Sequence, residues 1–333
     1  MNNDAIILTL AYPDTIVMVS KEWFSPFLRY FGIGKKNYVR AGHAALVLIK
    51  RASGHLEYHD FGRYITPEPT GRVRGKDTDN ELDFPITAEI ENGVIKNLDS
   101  ILKFLATHPK FTHGDGKLIA SVCSAVNYQK ARDHITEMQN KHFIRYAAFI
   151  KDACNCARFV TDSLIASVTD MGIKRKLQKS KWFTPSTVGN VVLADTENYV
   201  YEVSETGVIS QFQGSRSSEN IRCFLDRLQS HEPNFVGTLE PKSVKNLHVK
   251  AQWLSGIAAG AWFELHKNGH DREFDFKRIS PNGNIDVQDT FIVGDHSFDY
   301  SLDFEFVHYS NCKFFHVKQN GKVFRFDRKY VLS

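Results

Sequence analysis

The chain has 333 residues, of which 42% are hydrophobic, 12% aromatic and 24% charged, which excludes a disordered or fibrous protein and provides apolar surface for two cores. Lys and Arg exceed Asp and Glu by only 42 − 38 = 4, and the charges are dispersed, so no nucleic acid is expected as partner. The opening Met1-Asn2-Asn3-Asp4 lacks the basic region of a signal peptide, and Ala5 to Ala11 is too short for an export segment or a transmembrane span, so the expected location is cytoplasmic. Five cysteines (Cys123, Cys154, Cys156, Cys223 and Cys312) are an odd number in a chain too large to need disulfides, which suits a reducing compartment.

In chain order, Ala5 to Leu10 reads as a buried strand stopped by Pro13-Asp14. An aromatic stretch from Trp23 to Phe31 follows, broken by Pro26, and reads as core packing rather than as a lipid contact or a cleft cover. Gly42 to Ile49 is a second apolar run, and Ser53-Gly54 turns it back into Leu56 to Tyr64 as a hairpin. Two locally basic pieces, Arg72 to Lys76 and Lys174 to Lys181, read as solvated faces.

Leu98, Ile101, Leu102 and Leu105 recur at helical spacing behind the N-cap candidate Asn97, and Pro109 ends that helix. Lys117 to Val122 is strand-like, and Tyr128, Ala131, Ile135 and Met138 mark a second amphipathic helix. Arg145 to Ile150 reads as a strand that feeds through Asn155 into a helix carrying Phe159, Val160, Leu164 and Ile165.

Beyond about residue 198 the texture becomes β-rich, with one helix near 218–230. Asn268-Gly269, Asn282-Gly283 and Asn320-Gly321 predict hairpin turns, because both residue types tolerate positive φ. Phe298, Tyr300, Leu302, Phe304 and Phe306 alternate with polar residues as in a half-buried strand. The expected organisation is therefore a domain over 1–197 and a β-rich accessory domain over 198–333, a small barrel or sandwich.

Chemistry concentrates at Cys156. A thiol on the first residue of a helix, behind Asn155 as N-cap, meets unpaired N–H groups and the positive end of the helix dipole; these favour a thiolate and an oxyanion. His43, which follows a glycine and starts a strand, is the candidate base that takes the thiol proton and returns it to the leaving group. The third member depends on register. A two- or four-residue turn around Ser53-Gly54 places Asp60 on the face of His43, whereas a three-residue turn presents His59. His55 and His113 are weaker candidates. Cys154-x-Cys156 would need two further soft ligands to hold a metal, and no partner pair stands at zinc-site spacing. Gly114-Asp115-Gly116 lacks the Lys-Ser/Thr of a nucleotide loop. No metal or cofactor is expected.

Gly42-His43-Ala44-Ala45-Leu46-Val47, then His59-Asp60, then Asn155-Cys156-Ala157-Arg158-Phe159-Val160 resembles the permuted NlpC-type papain-like superfamily, which includes YiiX-type hydrolases and the lecithin:retinol acyltransferase family. In those families the histidine strand precedes the cysteine helix. The resemblance covers roughly the first 195 residues. It implies an α+β fold with an antiparallel sheet and a cysteine-bearing helix, Cys156 as nucleophile, His43 as base, and Asp60 or His59 as the polar third member. The expected activity is cysteine-dependent hydrolysis of a peptide, isopeptide or other acyl substrate through an acyl-enzyme. The alternatives are acyl transfer or thioester hydrolysis on lipids, and a non-catalytic binding module that uses the same cleft.

Overall fold

The computed structural model describes residues 2–20, 22–23, 25–35, 37–232, 237–256 and 258–329, the side chains at 29 and 224 excepted. The chain divides into two compact units. The first comprises the residues up to Gly62, Gly71–Lys76 and Glu81–Glu232. The second comprises Arg63–Thr70, Asp77–Asn80 and the chain beyond Glu232.

Along the first unit run β1 (Ala5–Tyr12), β2 (Ile16–Met18), α1 (Ser25–Tyr30), β3 (Tyr38–Arg40), β4 (His43–Lys50), β5 (Leu56–Gly62), β6 (Thr70–Arg74), β7 (Ile90–Glu91) and β8 (Val94–Ile95). There follow α2 (Leu98–Thr107), α3 (Pro109–Thr112), β9 (Leu118–Val126), α4 (Tyr128–Asn140), β10 (Ile144–Arg145), α5 (Cys156–Ser167), α6 (Met171–Ser180), α7 (Thr187–Ala194), β11 (Tyr201–Val203), β12 (Ile209–Gln211) and α8 (Arg216–Phe224). An eight-stranded sheet in the order β10-β6-β5-β4-β1-β9-β11-β12 forms its centre. β1 and β4, near the middle, are apolar on both faces because each face carries a core. Ala44, Leu46 and Leu48 pack with Phe159, Val160 and Leu164 of α5, and Ala45, Val47 and Ile49 pack with Ile101, Leu102 and Leu105 of α2. Each such large side chain taken from water contributes about 1.5–3 kcal/mol, so the two faces together anchor the strand that begins at His43.

The second unit contains β13 (Gln252–Gly256), β14 (Ala259–Lys267), β15 (Glu273–Ile279), β16 (Ile285–Val293), β17 (Glu305–Val307), β18 (Phe314–Gln319) and β19 (Lys322–Arg328). They form one antiparallel sheet in the order β13-β14-β15-β16-β19-β18-β17. Its ends nearly close into a barrel: the Gln252 side-chain amide donates to the Phe304 carbonyl (2.7 Å) and accepts from the Phe306 N–H (2.9 Å), which links β13 to β17. Phe263, Phe276, Phe291, Phe315 and Phe326 fill the interior. The expected α+β class with antiparallel sheets and a β-rich C-terminal barrel is what the chain adopts. The three Asn-Gly pairs lie in hairpin loops, and Asn320-Gly321, with φ of 49° and 79°, is the whole two-residue loop between β18 and β19.

Several local expectations are corrected. Asn97 makes no cap bond to α2; its side chain accepts from Glu89 N and donates to Thr87 O, so it staples the preceding turn instead. Of the expected 145–150 strand only Arg145 lies in a strand, β10, because residues 148–153 wrap around the Arg158 guanidinium, which donates to the Ala148, Ile150 and Ala153 carbonyls. The alternating run from Phe298 to Phe306 is a strand only over Glu305–Val307. Asp295 and Asp299 each accept the backbone N–H two residues on, and these local turns outcompete a ladder. Among the described residues the aromatic stretch near α1 is not core: Trp23, Phe27, Tyr30 and Phe31 are exposed and Leu28 alone of the described side chains is buried, while Phe24 lies outside the described residues. The expected helix near 218–230 runs instead over Arg216–Phe224, started by a Ser215–Ser218 capping box.

Candidate active site

Between β4 and β5 the Lys50 N–H donates to the His55 carbonyl, so the chain turns through four residues, 51–54, in which the Gly54 N–H donates to the Lys50 carbonyl. The even count pairs Ala45 with Asp60, so His43 and Asp60 share a face. Their side chains meet: His43 Nε2 lies 3.0 Å from Asp60 Oδ2. His59, one step out of phase opposite Leu46, points to the other face. There its Nδ1 lies 3.2 Å from the Arg74 carbonyl, and its Nε2 lies 3.9 Å from Glu57. Glu57 is held at about 2 despite its burial, by hydrogen bonds from His59 and Tyr128 and by the Arg132 charge.

His43 enters β4 from Gly42, which has φ of +72° and whose N–H donates to the Thr15 carbonyl. A Cβ at residue 42 would stand 3.1 Å from the Tyr12 carbonyl and Pro13 Cα in a backbone region that L side chains avoid. That glycine sets the direction in which the histidine strand starts.

Asp60 is fully buried and ringed by donors. Arg74, directly opposite it on β6, gives Nε to Oδ1 (2.9 Å) and Nη2 to Oδ2 (2.6 Å), and the Tyr58 hydroxyl lies 3.1 Å from Oδ2. Burial alone would raise this carboxyl, but the Arg74 charge and the His43 hydrogen bond hold it well below the usual carboxylate range. The Arg74 side chain is itself fully buried and also reaches the Phe111 carbonyl. Reading residues 72–76 as a solvated face is thereby corrected: the alternation across Arg72-Val73-Arg74 is that of a buried strand, and Asp60 draws Arg74 inward.

Cys156 is the first residue of α5. Asn155 caps the helix by accepting the Arg158 N–H (2.9 Å) and anchors to the Ala147 carbonyl through Nδ2 (3.3 Å). From α7, Asn190 Nδ2 donates to the Ala157 carbonyl (2.7 Å), so the first turn of α5 is tied from both sides. The Cys156 thiol, at the start of α5, acts on the His43 imidazole alongside Asp60. Burial works to lower the imidazole pKa, but the Asp60 bond, the Cys156 thiol and the charges of both override it and raise it to about 9. The structure thus joins His43, Asp60 and Arg74 in one chain of polar contacts, with Cys156 acting on the His43 imidazole from the start of α5.

His113, the left-handed cap of α3, stands edge-on to His43 with centroids 5.5 Å apart, and Tyr12 stacks beside His43 at 6.4 Å. Gly114 admits the Tyr12 ring, since a Cβ there would sit 2.2 Å from it. His55 lies elsewhere, against Lys76 Nζ at 2.8 Å. Sequence reasoning missed Arg74, Tyr58 and Tyr12. For Arg74 the signal was available in the strand alternation, whereas nothing local marks the two tyrosines.

The raised imidazole pKa makes a stability prediction. A histidine raised from 6.5 to about 9 contributes stability that is fully present below the unfolded value and is lost as pH rises through 9. Urea unfolding of wild type and His43→Gln should therefore differ most at pH 6 and converge by pH 10. A gap that widens with pH would contradict the pairing.

Comparison with known proteins gives two family matches. Residues 7–173, half of the chain, match the family described as type VI secretion system effector TseH-like, and residues 251–329 match the DUF6695 C-terminal domain. No curated protein matches the chain. Among solved structures, the crystal structure of the type VI secretion system effector TseH aligns at 18% identity with a TM-score of 0.43, covering 64% of this chain and 100% of its own. With β4, β5, β6, α5 and the residues around His43 inside the matched residues, this protein belongs to the TseH-like family of type VI secretion system effectors.

Proposed function

We propose that the first unit is a permuted papain-like thiol hydrolase, with Cys156 as nucleophile, His43 as general base and Asp60 as the residue that fixes the imidazole. The observation that carries this reading is the buried His43–Asp60 pair, 3.0 Å apart, whose imidazole also feels the Cys156 thiol at the N-terminus of α5. Asp60 takes Nε2 and leaves Nδ1 for the thiol. The Cys156 sulfur attacks an acyl carbon, and the helix N–H groups of the first α5 turn stabilise the oxyanion. The imidazolium then gives its proton to the departing amine as the C–N bond breaks, which leaves a thioester. Water, losing its proton to His43, attacks the thioester and releases the acid and the thiol. Peptide or isopeptide amides are the first substrate class. As a type VI effector the chain acts after delivery, outside the cytoplasm that made it, and the β-rich second unit serves as an accessory domain. No described helix is long and apolar enough to cross a membrane.

Residue-resolved alkylation tests the pair. Burial pushes Cys123 and Cys312 up to about 12 and also raises Cys154 and Cys223, so these four thiols should react slowly. With iodoacetamide at pH 7, Cys156 should label at least about tenfold faster than any of them and should lose that lead in His43→Ala. An unchanged rate in His43→Ala would remove the thiol–imidazole pair, and with it the enzyme reading.

A further inference from the structure

The first unit exposes large aromatic side chains that its own core does not use. Trp182, Trp23 and Phe183 are 89%, 79% and 74% exposed, and Phe31, Phe27 and Phe149 follow at 70%, 55% and 39%. They are linked. The Glu22 carboxylate accepts the N–H groups of Ala148 and Phe149 (2.8 and 2.9 Å), which ties the start of the 22–31 segment to the 148–149 loop. Phe149 packs on Phe183 with centroids 4.8 Å apart, Trp23 packs on Phe27 at 6.3 Å, and Trp182 adjoins Phe183 in the chain. Scattered exposed apolar residues need no explanation, but two exposed aromatic pairs tied together through Glu22 mark a surface that is covered by something.

The charge around it indicates what covers it. Residues 174–183 hold five cations, Lys174, Arg175, Lys176, Lys179 and Lys181, and no acid. Arg175, Lys176 and Lys179 are exposed, as is Lys151 two residues beyond Phe149, whereas Lys181 pairs with Asp162 and Asp152 adjoins Lys151, so α6 carries the net positive charge. A second copy docking through a two-fold axis would set this cationic segment against itself, which Coulomb repulsion opposes. Aromatic rings that settle at headgroup level beside lysines that attract anionic phosphates are the combination that holds a protein on a lipid surface without spanning it.

We propose that the first unit docks on anionic phospholipid bilayers through Trp23, Phe27, Phe31, Phe149, Trp182 and Phe183, with the cations of α6 and Lys151 facing the headgroups. The loop that carries Phe149 continues into Asn155 and Cys156, so docking holds the N-terminus of α5 toward the lipid surface. This inference does not depend on thiol chemistry, and a Cys156→Ala variant should bind equally well.

The test is sedimentation of the full chain with sucrose-loaded vesicles, either 70:30 phosphatidylcholine:phosphatidylglycerol or phosphatidylcholine alone, with tryptophan quenching by brominated acyl chains read in parallel. The expected result is binding to the anionic vesicles, with quenching that falls in Trp182→Ser. Neutralising Lys176 and Lys179 to glutamine should weaken partitioning by roughly fivefold per cation, and raising salt should do the same. Trp23→Ser is the second variant, chosen because its side chain too is exposed and its loss should not disturb folding. Absence of partitioning, partitioning indifferent to these substitutions, or a stable dimer in sedimentation velocity that shields Trp182 from aqueous quenchers would each overturn the proposal.

Discussion

An Arg74→Ala variant is expected to lose about 3–5 kcal/mol of unfolding free energy, the range seen when one partner of a buried ion pair is removed. Both charges lie inside the protein, and Arg74 meets Asp60 with two hydrogen bonds while also reaching the Phe111 carbonyl. Without the guanidinium, a carboxylate in low dielectric loses the cation that meets it with two hydrogen bonds. Chemical denaturation monitored by far-UV circular dichroism measures the loss, and a value under about 1 kcal/mol would show that Asp60 does not rely on Arg74. The pH dependence supplies a second check. A carboxyl depressed in the folded state contributes stability present above its unfolded value near 4 and lost as pH falls below it. The wild type should therefore weaken in acid more steeply than Arg74→Ala, in which the depression is relieved. Adding Asp60→Asn to Arg74→Ala should recover part of the loss, because a neutral amide costs less to bury than an unpaired charge.

Cys156→Ala should reduce turnover of any amide, ester or thioester that the wild type cleaves by at least about 10³-fold, since no neighbouring group replaces a nucleophile that forms a covalent intermediate. The same substitution removes little buried surface, and its cost in stability should stay near 1 kcal/mol. That contrast separates it from Arg74→Ala, which damages stability first. His43→Ala should fall to a similar residual rate, and the double variant should be no worse than either single one, because members of one catalytic unit are not additive. Initial rates on a panel of acyl substrates decide the matter. A Cys156→Ala protein that keeps more than a tenth of wild-type turnover would exclude acyl transfer to this thiol.

How much of this was legible beforehand varied with the range of the interactions. The hairpin turns at Asn-Gly pairs, the amphipathic helices over Leu98–Thr107 and Tyr128–Asn140, and the Asn155 cap of α5 are governed by neighbours in sequence, so composition and periodicity revealed them. Phe298 to Phe304 misled because alternation carries no information about competing Asp-centred turns. Trp23 to Phe31 misled because apolarity alone does not distinguish a core from an exposed patch.

By itself the sequence determined the α+β class, the β-rich C-terminal region, the order of histidine strand before cysteine helix, and Cys156, His43 and Asp60 or His59 as the residues with chemistry to offer. Tertiary structure alone decided between Asp60 and His59 at His43, because hairpin register turns on one residue of loop length and a single slip reverses every side chain. It alone set Arg74 against Asp60, placed β11 beside β9 and β12 beyond it, and brought the ends of the second sheet together through Gln252. Those contacts join residues that are distant in the chain, and their partners are chosen by burial and charge pairing in the folded interior, which no local pattern of residues encodes.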